Sequence, residues 1–221
     1  MKQRLTRELI CLRIARELRD GMYVNLGFGM PTMVSNFIPP GEDIILHAEN
    51  GILNYGQTLT LEDDIDDDLV NAGCQPVKLV TGACFFDLAT SFGMIRGGHI
   101  DITVLGAYQV SEKGDLANWQ LPGQKIGGIG GGMELAFGCK RVIVAMEHTT
   151  RSNNPRIVRE CSFPITARGV VKNIVTDLAY FSVTPEGLVL EETAPGFSPE
   201  EIQSLTEPKL LISPELKELE L

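Results

Sequence analysis

Three groups of residues in this 221-residue chain have the types and spacing to do chemistry. The first is Glu49 in His47-Ala48-Glu49-Asn50-Gly51, directly after the apolar run Ile44-Ile45-Leu46. Its carboxylate stands at the C-terminal end of a buried strand, where open α/β sheets place their ligands, although a lone carboxylate is more often plain polar surface. The second is the stretch Gly123 to Glu134, the most glycine-dense in the chain. It fails the dinucleotide fingerprint, because Met133 stands sixth from Gly128, and it fails the phosphate-loop pattern, because Ile129 replaces the required lysine. What remains is a run of free N–H groups entering a helix near Met133, which suits an oxyanion or anion and equally suits a structural turn. The third group is the histidines. His47 shares a strand face with Glu49 and reads equally well as a satisfied hydrogen-bonding core residue; His99 and His148 are distant in sequence.

No metal site is expected. The five cysteines are scattered without a C-x-x-C pair, so neither a zinc site nor a disulfide framework is indicated. The acidic run Glu62 to Asp68 lacks the glycine and terminal glutamate of a calcium loop and reads as solvated. Trp119 reads as core or interface packing.

The elements that must position these groups follow from periodicity. Apolar residues at helical spacing predict an N-terminal helix over 5–19, stopped by Asp20-Gly21. Its interleaved Arg13, Arg16, Glu17 and Asp20 read as a solvated face. A short strand at Tyr23 leads through Gly27 and Gly29 into a helix starting at Pro31. Buried strands are expected at Ile44 to Leu46, Ile102 to Leu105 and Val142 to Met146, and a hairpin joins Leu178 to Val183 with Leu188 to Glu191. The pattern is that of an α/β single domain with a largely parallel open sheet flanked by helices. It divides as one domain over 1–221, with the helix at 5–19, a core at 22–183, and a C-terminal hairpin and tail at 184–221.

Composition narrows the function. A net charge of −10 without a basic stripe excludes nucleic acid as partner, because binding a phosphate backbone needs clustered Lys and Arg. Arg13 and Arg16 interrupt any signal-peptide core, no run reaches membrane-spanning length, and a reduced cytoplasmic compartment is expected.

Taken together, the motifs resemble the β subunit of 3-oxoacid-type CoA-transferases, on the NagB/RpiA/CoA-transferase-like fold. The resemblance rests on Tyr23-Val-Asn-Leu-Gly-Phe-Gly-Met-Pro-Thr32, Glu49-Asn50-Gly51, Ser91-Phe-Gly-Met-Ile-Arg-Gly-Gly-His-Ile-Asp101, Gly114-Asp-Leu-Ala-Asn-Trp119, Gly128-Ile-Gly-Gly131 and Val144-Ala-Met-Glu-His148, in the family's order. It implies Glu49 as the nucleophile and the N–H groups of Gly130 or Gly131 as oxyanion donors. Asn50, Gly51, Gly27, Gly29 and Asn118 would contact substrate or CoA. Coenzyme A would be a substrate, with no other cofactor. A separate α subunit is implied, in an α2β2 heterotetramer, because the chain begins just ahead of the β-type helix. Departures cluster near the acyl site: Ala48 replaces a usual Ser, Asn54-Tyr55-Gly56-Gln57 a usual Gly-Met-Gly-Pro, Gly132-Met-Glu134 a usual Ala-Met-Asp, and Cys74 a usual Gly. The same residues leave two alternatives, a sugar-phosphate isomerase with Glu49 as base and a non-catalytic binding subunit.

Overall fold

The computed structural model describes residues 2–39, 41–60, 63–123 and 129–220. Gly127 and Gly128 of the glycine-dense stretch, together with Glu62, lie outside the described residues.

The N-terminal helix α1 covers Arg7–Ala15 rather than 5–19. It starts late because Leu5 gives its N–H to the Asp177 carbonyl (2.8 Å), leaving Thr6 extended so that its hydroxyl caps the Leu9 N–H. It stops early because Glu17 and Leu18 bond three residues back, to Ile14 and Ala15, which winds the last turn too tightly for an α-helix. Nor is its charged face wholly solvated. Arg13 is buried, with Nε 2.6 Å from Glu192 and Nη1 2.7 Å from Glu17, and its guanidinium lies 4.2 Å from the Tyr180 ring centre. Two carboxylates and an aromatic face compensate its desolvation.

Strand β1 (Tyr23–Leu26) leads into a 3-10 helix over Met30–Phe37, where an α-helix was expected from Pro31. The hydroxyls of Thr32 and Ser35 donate to carbonyls three residues back, those of Gly29 (2.7 Å) and Thr32 (2.9 Å), and hold the tighter winding. The chain continues through β2 (Ile45–Ala48), β3 (Ile52–Thr58), β4 (Val77–Phe85), α2 (Leu88–Arg96), β5 (Ile102–Gly106), β6 (Gln109–Ser111), β7 (Leu116–Ala117), α3 (Gly132–Gly138) and β8 (Arg141–Ala145). It ends with β9 (Ile157–Val158), β10 (Val171–Val175), β11 (Ala179–Thr184), β12 (Gly187–Thr193), α4 (Pro199–Ser204) and β13 (Leu210–Glu218).

Ten strands form one sheet in the order β13-β12-β11-β10-β8-β5-β1-β2-β3-β4, and β7-β6-β9 form a small second one. The block from β10 to β2 is continuously parallel, flanked by antiparallel hairpins β11/β12 and β2/β3/β4. The tail does not trail away. Its strand β13 pairs parallel with β12 and closes that edge, and the hairpin straddles the expected 183/184 boundary.

Alternation along the central strands sends apolar side chains to both faces. Val24, Leu26, Leu46, Val104 and Ile143 pack with Ile10 and Ile14 of α1 on one side. Leu105, Val142 and Val144 pack with Ile95 of α2 and Leu135 of α3 on the other. On that second face, three adjacent strands interrupt the pattern with a polar row. Asn25 of β1 is paired in register with His47 of β2 on one side and Thr103 of β5 on the other, all three fully buried. No helix among the described residues is long and apolar enough to cross a membrane.

Candidate active site

Glu49 sits at the corner of the β2/β3 hairpin. Ala48 pairs with Ile52, and the Gly51 N–H returns to the Ala48 carbonyl (3.0 Å), so Glu49, Asn50 and Gly51 are the tight turn itself. Glycine is required at its last position. Gly51 has φ +121°, and a Cβ there would lie 2.2 Å from the Phe86 carbonyl oxygen. The Phe86 N–H in turn donates to the Gly51 carbonyl (3.1 Å), which pins the turn to the segment entering α2. Asp87 caps that helix by accepting from the Thr90 N–H (2.7 Å).

The Glu49 side chain is half-buried, and its Oε2 accepts a hydrogen bond from Asn25 Nδ2 at 3.0 Å. Behind this contact lies the polar row. Asn25 Nδ2 is 3.2 Å from both His47 Nδ1 and the His47 carbonyl, Thr103 Oγ1 donates to Asn25 Oδ1 (3.2 Å), and His47 Nε2 lies 3.1 Å from Ser91 Oγ on α2. The His47 ring stacks on Phe86, and burial pushes its pKa down to about 4, so it is neutral at ordinary pH. Burial, reinforced by the nearby Glu49 charge, also raises the Tyr55 hydroxyl well above its usual range.

Of the residues singled out in the sequence, the fold brings some to Glu49 and leaves others away from it. A Cβ on Gly131 would lie 3.7 Å from Glu49 Cγ and 3.1 Å from Phe92, so the backbone at the start of α3 passes directly over the carboxylate. Asn118 lies beside Gly132, its Oδ1 accepting from Thr166 Oγ1 (2.6 Å). Gly27 ends β1 so tightly against β5 that a Cβ would come within 3.0 Å of the Val104 carbonyl oxygen. In contrast, Asn50 is exposed and turns away to donate to the Val70 carbonyl (2.8 Å), while Gly29 and Gly130 are exposed with no neighbour at the Cβ position.

Beside the carboxylate, a cavity of about 320 Å³ opens over the C-terminal ends of β1, β5 and β8. Phe28, Leu105, Met146 and Asn118 line it, and at its rim Glu147 is bound by Arg7 (2.7 Å) and Arg156 (3.5 Å). Asn25, Ser91 and Thr103 were not identified as site residues from the sequence. The available signal was one polar residue at the centre of each buried strand: Val-Asn25-Leu, Leu-His47-Ala, Ile-Thr103-Val. Among the described residues no group of three or more His, Cys, Asp or Glu is placed to hold a metal ion.

A profile described as coenzyme A transferase matches residues 8–205. The chain belongs to the coenzyme A transferase family. It is 47% identical over 201 residues to the B-type subunit of the succinyl-CoA:3-ketoacid coenzyme A transferase of Helicobacter pylori, covering 91% of this chain and 96% of that protein. It is 44% identical over 204 residues to the B-type subunit of the 3-oxoadipate CoA-transferase of Acinetobacter baylyi, covering 92% and 94%. Among solved structures, an acyl-CoA transferase from Escherichia coli O157:H7 superimposes with a TM-score of 0.77 at 22% identity, over 99% of this chain and 43% of that longer one. The family's α/β fold and its transferase class therefore apply to this chain, with Glu49 standing where strand β2 meets its turn.

Proposed function

We propose that this chain is the glutamate-bearing subunit of a coenzyme A transferase in which Glu49 is the nucleophile. The observation that carries the reading is the Asn25–Glu49 contact: a half-buried carboxylate has one oxygen held at 3.0 Å and the glycine backbone of α3 passing above it. A carboxylate attacks a thioester well only when it is partly stripped of water and held in near-attack geometry.

In the proposed reaction the free Glu49 oxygen adds to the acyl-CoA carbonyl, and collapse of the adduct expels CoA thiolate and leaves an acyl-glutamyl anhydride. The thiolate then attacks the glutamyl carbonyl, forming glutamyl-CoA thioester and releasing the first carboxylate. The second acid reverses both steps, so no net oxidation occurs and coenzyme A serves as a substrate. Each addition places negative charge on a carbonyl oxygen, and the Gly131 backbone is the nearest candidate donor in this chain. Loss of one such donor costs about 3 to 4 kcal/mol of transition-state stabilisation.

Both bacterial relatives are named as one subunit of a larger enzyme, which supports a separate α subunit that completes the site in an α2β2 assembly. So do Phe85, Leu88, Met133 and Phe137, exposed apolar side chains on the elements flanking Glu49. Short-chain acyl and 3-oxoacyl groups are the proposed substrates, matching the small cavity and the relatives' names. Free thiols on all five cysteines, two of them exposed, are compatible with a reducing cytoplasm.

The test is steady-state kinetics on the assembled complex with acetoacetyl-CoA, succinyl-CoA, butyryl-CoA and 3-oxoadipate. Parallel double-reciprocal lines are expected with at least one pair. Glu49→Gln and Glu49→Asp should each lose at least about 100-fold in kcat, since one removes the nucleophile and the other withdraws it by a methylene. Intersecting lines, or near-normal turnover in Glu49→Gln, would overturn the reading.

A further inference from the structure

Four polar side chains, Asn25, His47, Thr103 and Ser91, lie fully buried between the sheet and α2, where apolar packing would cost less. Asn25, His47 and Thr103 come from three adjacent strands in register, Ser91 comes from the helix above, and their hydrogen bonds converge on Glu49. We propose that His47 is a positioning residue: by accepting at Nδ1 it locks the Asn25 amide with an N–H aimed at Glu49.

Donor accounting fixes the arrangement. Asn25 Nδ2 has two hydrogens. One goes to Glu49 Oε2, and the other faces His47 Nδ1 and the His47 carbonyl together. On the opposite side of the amide, Oδ1 accepts from Thr103 Oγ1. A proton on His47 Nδ1 would set two donors face to face; a flipped amide would aim its oxygen at the Glu49 carboxylate. Ser91 Oγ, placed to accept from Nε2, selects the tautomer that leaves Nδ1 free. The buried ring thus sets which Glu49 oxygen is held and which is left to attack.

This inference rests on Glu49 being the nucleophile, and the test separates the two claims. An asparagine at 47 offers its carboxamide near the place of Nδ1, whereas a glutamine reaches the place of Nε2. With the complex and acyl-CoA donor alone, the rate of covalent labelling of Glu49 is measured for wild type, His47→Gln and His47→Asn, alongside KM and thermal unfolding. His47→Gln should slow labelling by about 10- to 100-fold with KM little changed, the range expected for losing a hydrogen bond to a charged network, and His47→Asn should recover to within about 3-fold of wild type. Equal rates in both variants, the reverse order, or losses that follow thermal stability would overturn the positioning role. If neither variant folds, Ser91→Ala carries the test: a labelling rate reduced by about 3-fold or more at unchanged KM is expected, and a wild-type rate overturns the role. Absence of any Glu49 label in wild type would instead overturn the nucleophile reading on which it stands.

Discussion

A hydrogen bond from Asn25 to one oxygen of Glu49 leaves the other oxygen for chemistry, and the groups behind it are neutral. His47 is kept so by burial, as is His148, which is enclosed by Thr176 and Thr206; burial pushes each pKa from 6.5 down to about 4. The sign of the consequence is fixed. Between pH 6.5 and about 4 the unfolded chain binds protons on these rings that the folded chain does not. The stability present above pH 6.5 is therefore lost as pH falls through that window, at roughly 1.4 kcal/mol per pH unit for each ring. Thermal unfolding across this range should show the decline, and His148→Gln should flatten it by about half; a stability independent of pH there would contradict the neutral assignment. Two family departures also become intelligible at this scale. Asn54 and Cys74 stand where the family usually has glycine, and both adopt positive φ (61° and 57°). The backbone keeps the glycine-like conformation while the residue changes, with Asn54 adding a bond to the Thr81 carbonyl (3.1 Å).

Among the elements, α1 is held to the sheet through Arg13, which joins Glu17 on the turn that ends its helix to Glu192 on β12. Replacing Arg13 with Met should cost about 3 to 5 kcal/mol, measured by denaturant unfolding, because two partly buried carboxylates lose their partner. A cost under about 1 kcal/mol would show that water reaches them freely. The central parallel strands, the C-terminal hairpin and the strand-end position of Glu49 were all legible in the sequence, because a continuous apolar run followed by glycine reports burial and a turn together. Other elements were not. Helix α2 carries Ser91 and Gly93, poor helix formers, and depends on its Asp87 cap and its packing against α3. Strand β4 is almost wholly exposed, so it shows no alternation to read, and β13 is specified by pairing with β12. The polar row under Glu49 escaped because one Asn, His or Thr inside an apolar strand has meaning only when three strands are set in register. Asn50, read as a binding residue from the Glu-Asn-Gly motif, instead points at Val70 and fastens the neighbouring loop.

For the whole molecule, the proposed site is half of one. The cavity beside Glu49 opens over the strand ends, and exposed apolar side chains lie on both elements that flank the carboxylate. The purified chain alone should show no acyl exchange, and co-expression with a CoA-transferase α subunit should restore it; full activity from the isolated chain would contradict the divided site. The central claim is that CoA becomes covalently attached to Glu49 during turnover, and one measurement addresses it directly. The assembled complex is incubated with acyl-CoA donor and no acceptor, reduced with borohydride, digested and mapped by mass spectrometry. The account predicts reduction at Glu49 alone, in proportion to lost activity, and none in Glu49→Gln. A modification mapped to another residue, or full activity after reduction of the donor-treated complex, would contradict it.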